Sequence, residues 1–162
     1  MTRLAHALSY RELIVYQKAR ELSRELFHVS KSFPREEMYS LTDQLRRSSR
    51  SVGGQIAEAW AKRRYERHFV SKLTDADGEQ QETQHWIDTA LDCAYLSSQQ
   101  RDGLIERCEE IGRLLGGMIA KSDRFCGAPT FQLREPTVEY LVDDDLSYFF
   151  INQIESTTRS DN

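Results

Sequence analysis

Up to about residue 124, apolar residues recur at alternating steps of three and four, the repeat of amphipathic helices that bury one side each turn. Val15, Ala19, Leu22, Leu26, Val29 and Phe33 form the first stripe, and Pro34 ends it, because a proline ring blocks helix continuation and holds the preceding residue extended. Met38, Leu41, Leu45, Val52, Ile56 and Ala59 form the second. The third, Phe69, Leu73, Ala76, Thr83, Ile87, Ala90 and Ala94, is interrupted by polar Gln80. Ser97 with Gln100 has the spacing of a capping box, and Leu104, Cys108, Ile111, Leu115 and Met118 follow as the fourth stripe.

Four long amphipathic helices joined by short connections run antiparallel to their neighbours, so the pattern predicts an all-α, up-down four-helix bundle over residues 10–124. Residues 1–9 read as an N-terminal tail. The boundary between the second and third helices is open, since Ala61 to Arg67 contains neither Gly nor Pro; one continuous helix fits, and so does a solvated turn favoured by the crowded like charge. From residue 125 the composition changes to a Pro-containing acidic extension with the triplet Asp143-Asp144-Asp145 and the pair Phe149-Phe150. Its apolar residues predict a partly ordered segment, and its acids suggest a screen for basic surface.

Net charge is −4, which argues against a generic polyanion binder, but the charge is unevenly placed. Residues 1–40 carry +2, 41–70 carry +4, 71–122 carry −5 and 123–162 carry −5. The start MTRLAHALSYRE has no apolar signal-peptide core and no run is long enough to span a bilayer, so a cytoplasmic location without membrane association is expected. Cys93, Cys108 and Cys126 are odd in number and widely spaced, which favours reduced thiols over a disulfide or zinc framework.

The stretch LRRSSRSVGGQIAEAWAKRR (45–64) packs six of the chain's 22 Lys and Arg residues around a central Gly-Gly. With Leu45 and Val52 on the core seam, Arg46, Arg47 and Arg50 fall on the outward positions as one candidate nucleic-acid patch. Lys62, Arg63, Arg64 and Arg67 form a second, about 24 Å away if the helix is continuous. Between them the outward face carries Gly53, Ala57 and Ala61 at steps of four beside Trp60, and the fourth helix repeats the device with Gly112, Gly116 and Ala120. Exposed glycine costs about 1 kcal/mol of helix propensity, so these smooth strips predict close approach of another chain, and thus a homo-oligomer interface. The alternative is that the glycines relieve crowding inside the bundle.

YRELIVYQKARELSRELF, FPREEMYSLTDQLRRSSRSVGGQIAEA and YLSSQQRDGLIERCEEIGRLLGGMI resemble the four-helix-bundle proteins of 23S rRNA intervening sequences. Related to these are the accessory variability proteins of diversity-generating retroelements, which act beside a reverse transcriptase. The resemblance implies a bundle that assembles into a pentamer, lacks known catalysis, and associates with RNA or another nucleic acid in its basic members. Where that family shows Asn-Ile-Ala-Glu-Gly, this chain has Gln55-Ile56-Ala57-Glu58-Ala59.

Candidate chemistry adds little. Glu25 with His28 and Glu82 with His85 match the Glu-x-x-His element of di-metal bundles, and Glu58, Glu109 or Glu110 complete the inventory, but the helical repeat turns most of these outward. Neither a phosphate-binding loop nor a nucleophile motif is present, so no enzyme activity, metal or cofactor is expected. Tyr65 and His68 beside the basic cluster are of a type that stacks on bases, whereas the spacing of Phe69 makes it core. The function predicted is a non-enzymatic oligomeric bundle binding RNA or a nucleoprotein partner through the basic patches, the alternative being an assembly or adaptor protein whose arginines serve subunit contacts.

Overall fold

A computed structural model describes residues 7–126, and the predictions for the acidic extension beyond Cys126 lie outside them. Four long helices, α1 (Ile14–Val29), α2 (Leu41–Lys62), α3 (Glu66–Asp92) and α4 (Ser98–Ala120), are followed by a single turn, α5 (Ser122–Phe125). Among the described residues there is no strand. The helices pack in ring order, α1 on α2, α2 on α3, α3 on α4 and α4 back on α1, as an up-down bundle requires. The predicted limit at residue 124 moves outward: Phe125 stacks on Phe69 with ring centroids 5.9 Å apart, and Cys126 is buried.

The stripes supply the core. Leu22, Leu26, Leu45, Ile56, Phe69, Leu73, Ile87, Ile111 and Leu115 are its largest fully buried apolar side chains. Two stripe members fall out. Met38 is 46% exposed, because Arg35–Tyr39 forms a 3-10 turn whose three-residue repeat does not continue the register that begins at Leu41. Pro34 also acts at a distance from the helix it was expected to stop: α1 gives way at Ser30 to a short 3-10 turn, and Phe33 is the residue held extended before the proline (φ −68°, ψ 150°).

Ala94 is exposed rather than core, standing in the left-handed region at φ 58°. The Tyr95 N–H donates to the Ala90 carbonyl at 2.9 Å and the Ala94 N–H to that of Leu91 at 2.8 Å, a helix ending usually built on glycine. Leu96 takes the buried place instead. Because Cβ is unfavourable at that φ, Ala94→Gly is expected to raise the unfolding free energy by about 1 kcal/mol in a urea titration; destabilisation would show that the alanine methyl matters more than the backbone strain.

Polar groups inside the bundle are matched to one another. Gln80 is 1% exposed; its Nε2 donates to Asp77 Oδ1 at 3.0 Å, and its Oε1 accepts from Gln84 Nε2 at 2.7 Å. Thr83 Oγ1 lies 3.0 Å from Ser48 Oγ across the α2–α3 seam. Among the described residues no buried side-chain polar atom lacks a partner, as burial demands. The predicted capping box is formed, with Gln100 N–H donating to Ser97 Oγ and Ser97 N–H to Gln100 Oε1. At the same end, Tyr95 packs on Phe33 at 5.5 Å and donates its hydroxyl to Glu37 Oε1 at 3.2 Å. Hydrogen bonds from Ser40, from the Leu41 N–H and from Tyr95 hold the Glu37 carboxyl below its ordinary range.

Candidate nucleic-acid interface

Arg46, expected to point freely outward, is folded back across α1. Its Nε donates to Ser30 Oγ at 2.8 Å, and its guanidinium lies 4.9 Å from the centre of the Phe27 ring. The same ring is approached by Lys31 Nζ at 4.7 Å and by the Arg50 guanidinium at 5.7 Å. Three cations thus share one aromatic ring, whose electron-rich face offsets only part of their mutual repulsion. Arg47 is exposed and engages Asp43 at 3.7 Å, one turn earlier on its own helix. Phe27, Ser30 and Lys31 did not figure in the sequence reading. Their signal was present nonetheless: on the α1 wheel Tyr16, Ser23, Phe27 and Ser30 flank the core stripe on one side, and Lys31 follows Phe27 at the i+4 position.

The second patch sits at the other end of α2 and is not an extension of it. The chain leaves α2 after Lys62, turns through residues 63–65 and enters α3 at Glu66, so the continuous helix behind the 24 Å spacing is not formed. Arg63 stacks on Trp60 at 4.2 Å and donates to the Trp60 carbonyl at 2.7 Å, Lys62 lies 3.9 Å from Glu58, and Arg64 lies 5.8 Å from the Tyr65 ring centre. Arg67 is exposed. Tyr65 is 58% exposed and tilts against His68, while Phe69 is fully buried as its spacing required. Glu66, the first residue of α3, accepts from Ser122 Oγ at 2.5 Å.

The seams differ in charge. Lys18 with Glu110 at 3.0 Å and Arg107 with Glu25 at 3.2 Å close the α1–α4 seam. Lys72 with Glu58 at 3.1 Å closes α2–α3, and Arg101 with Asp88 at 2.7 Å closes α3–α4. Hydrogen bonding to Glu58, then to Asp75, raises the Lys72 pKa, and Asp88, then Asp102, raises that of Arg101. The α1–α2 seam has no such pair among the described residues. Lys31, Arg46 and Arg50 there meet no described carboxylate within 4.0 Å, only an aromatic ring and a serine.

A family model for the 23S rRNA-intervening sequence protein matches residues 11–117, spanning α1 to most of α4 and both basic patches. The chain belongs to that family. A solved relative, a protein of unknown function of the S23 ribosomal protein family from Bacteroides thetaiotaomicron, is 26% identical and superposes with a TM-score of 0.60, covering 66% of this chain and 96% of its own. A search of curated proteins finds no match.

The small residues of the two strips divide into two kinds. Gly53 and Gly112 both face a neighbouring helix of the same bundle: a Cβ at 53 would make ordinary van der Waals contact with the Tyr16 ring at 3.6 Å, whereas one at 112 would stand 2.9 Å from Gln80 Nε2, so packing calls for glycine only at 112. These two are corrections to the outward strips, because α1 and α3 come close enough to occupy that space. Trp60 likewise is half-buried against the core. Ala57 is half-buried, and Ala61, Gly116 and Ala120 are exposed. A Cβ at Gly54, Gly116 or Gly117 meets nothing within 4 Å. Gly116→Ala is therefore expected to stabilise the bundle by about 1 kcal/mol by thermal or urea unfolding. If the same change shifts a multimer toward smaller species in light scattering, the open surface is a subunit contact; if it does neither, the propensity argument fails at this position.

The residues weighed as metal ligands do not converge. Glu25, Glu58 and Glu110 are taken by cations, Glu82 accepts from Trp86 Nε1 at 3.0 Å, and His28 and His85 are exposed. Among the described residues no group of three or more His, Cys, Asp or Glu is placed to hold a metal ion. Cys108 is fully buried, and burial pushes its thiol up to about 12; Cys126 is also raised by burial, and Cys93 is exposed. No helix among the described residues is long and apolar enough to cross a membrane.

Proposed function

We propose that this protein is a non-enzymatic helical bundle that binds RNA through the cation-bearing flank of α1 and α2, and that it does so as a homo-oligomer. The observation that carries the reading is the asymmetry of the seams. Three are closed by cross-helix ion pairs, whereas Lys31, Arg46 and Arg50 gather on the fourth around Phe27 without a described carboxylate. Surface ion pairs contribute little stability, so what matters is where positive charge is left for a polyanion. The family takes its name from 23S rRNA intervening sequences, which supports RNA as the polyanion to test first. One bundle offers a modest patch; repetition around an oligomer would raise avidity.

The test is whether protein freed of nucleic acid by nuclease and high salt rebinds RNA at low salt, as followed by gel retardation and absorbance ratio. Retention supports the reading and its absence removes it. A second reading, an assembly or adaptor protein without a nucleic-acid role, is favoured by the open Cβ positions at Gly54 and Gly116. Under it, reversing Arg46 and Arg50 dissociates the oligomer in light scattering rather than releasing RNA.

A further inference from the structure

The Phe27 cluster is one end of a longer feature. On α1, the flank that faces α2 carries Tyr16, Arg20, Ser23 and Phe27, with Arg24 one position further out, and Lys31 continues it on the 3-10 turn that follows the helix. At the far end Tyr10 meets Tyr16 edge-on at 4.8 Å, and Arg11 lies over the Tyr10 ring at 4.5 Å. An open depression on the outward side of this half of α1 is lined by Arg11, Tyr16, Arg20 and Arg24 with Glu21 as its one carboxylate, and no α2 residue borders it. On the α2 side the outer flank is low, because Gly53 and Ala57 contribute almost no side chain and Tyr16 lies directly against Gly53. Arg11, Arg20 and Arg24, like the cations at Phe27, meet no described carboxylate within 4.0 Å.

From these observations we infer that the α1–α2 furrow, from Arg11 and Tyr16 to Lys31 and Arg46, is a track for single-stranded RNA. The inference rests on the RNA-binding reading and names the form of RNA. With their axes about 8–10 Å apart the two helices are in contact, so a strand would lie along the shallow strip over their seam, which is narrow enough for one extended strand but not for both strands of a duplex. From Tyr16 to Lys31 the α1 rise gives about 22 Å, and at about 3.4 Å per stacked nucleotide that spans about six. Cations alternate with the aromatic residues Tyr10, Tyr16 and Phe27 along it, with Arg11 laid over Tyr10 and Arg46 over Phe27, so charge tracks the phosphates and the guanidinium planes stacked on these rings are what an exposed base would meet. A duplex keeps its bases turned inward and would use only the charges.

The experiment compares the full chain with Arg20→Glu/Arg24→Glu and with a charge-matched control, Arg107→Glu/Arg113→Glu, on the α4 side. All four arginines are largely exposed, so the fold, checked by circular dichroism, is retained. The probes are a labelled oligouridylate of about twelve nucleotides, about twice the track length, and an RNA duplex of the same length. Expected are tighter binding of the single strand than of the duplex at low salt, a loss of about tenfold or more for Arg20→Glu/Arg24→Glu, and a salt slope shallower by about 1.4, or 0.7 per lost phosphate contact. The control should lose less than about threefold. Equal losses for both variants would reduce the furrow to a general field and overturn the inference. Tighter duplex binding, or dissociation of an oligomer by Arg20→Glu/Arg24→Glu, would overturn it too. Failure of the wild type to bind either probe would instead remove the RNA reading on which the inference stands.

Discussion

Phe69→Ala lowers the unfolding free energy by about 3–5 kcal/mol, the usual cost of emptying a large aromatic site that cannot collapse. Phe69 is 0% exposed in the first turns of α3 and stacks on Phe125, so its ring joins the main core to the last described turn. Only about 5–15 kcal/mol holds a domain of this size, so the loss is a large share of the total. In a urea titration the midpoint should fall sharply with little change of slope. Increased proteolysis after Arg124 should accompany it, because α5 loses its principal stacking partner. A loss below about 1 kcal/mol would mean that α3 repacks freely at this end, contrary to the packing described.

Arg46→Glu with Arg50→Glu is expected to weaken RNA binding at low salt by about 100-fold or more while leaving the helical spectrum unchanged. Each reversal removes a cation and adds a repelling carboxylate beside Lys31, on a flank where no described acid offsets the change. Arg46 also stacks on Phe27 and donates to Ser30, so the neutral pair Arg46→Gln and Arg50→Gln separates charge from packing. That pair should lose about tenfold, one to two phosphate contacts without added repulsion. Filter binding reads both losses, and light scattering reports whether any oligomer survives. Unchanged RNA affinity together with dissociation would favour the adaptor reading.

The helices were legible in the sequence because the buried positions of α1, α2 and α4 are apolar at nearly every turn. Gln80 interrupts the third stripe yet is buried, since Asp77 and Gln84 satisfy its amide and Gly112 leaves it room. A pattern of apolar residues cannot reveal such a partnership between α3 and α4. Met38 and Ala94 were misplaced for a related reason: each continues the spacing of a stripe past the point where the backbone leaves the α-helical repeat. The candidate site was legible only by halves. A wheel drawn for α2 alone turns Arg46 and Gly53 toward solvent, but α1 supplies Phe27, Ser30 and Tyr16 to meet them. Arg46 and Arg47, adjacent in sequence, thus belong to different surroundings, one across the seam and one along its own helix.

The most direct test of the central claim, that the α1–α2 flank offers uncompensated positive charge to RNA, is the salt dependence of RNA binding by the wild-type chain. With about four to six phosphates neutralised per bundle, a plot of log K against log salt should fall with a slope of about −3 to −4. A flat plot, or no retention at about 50 mM salt, would contradict the account.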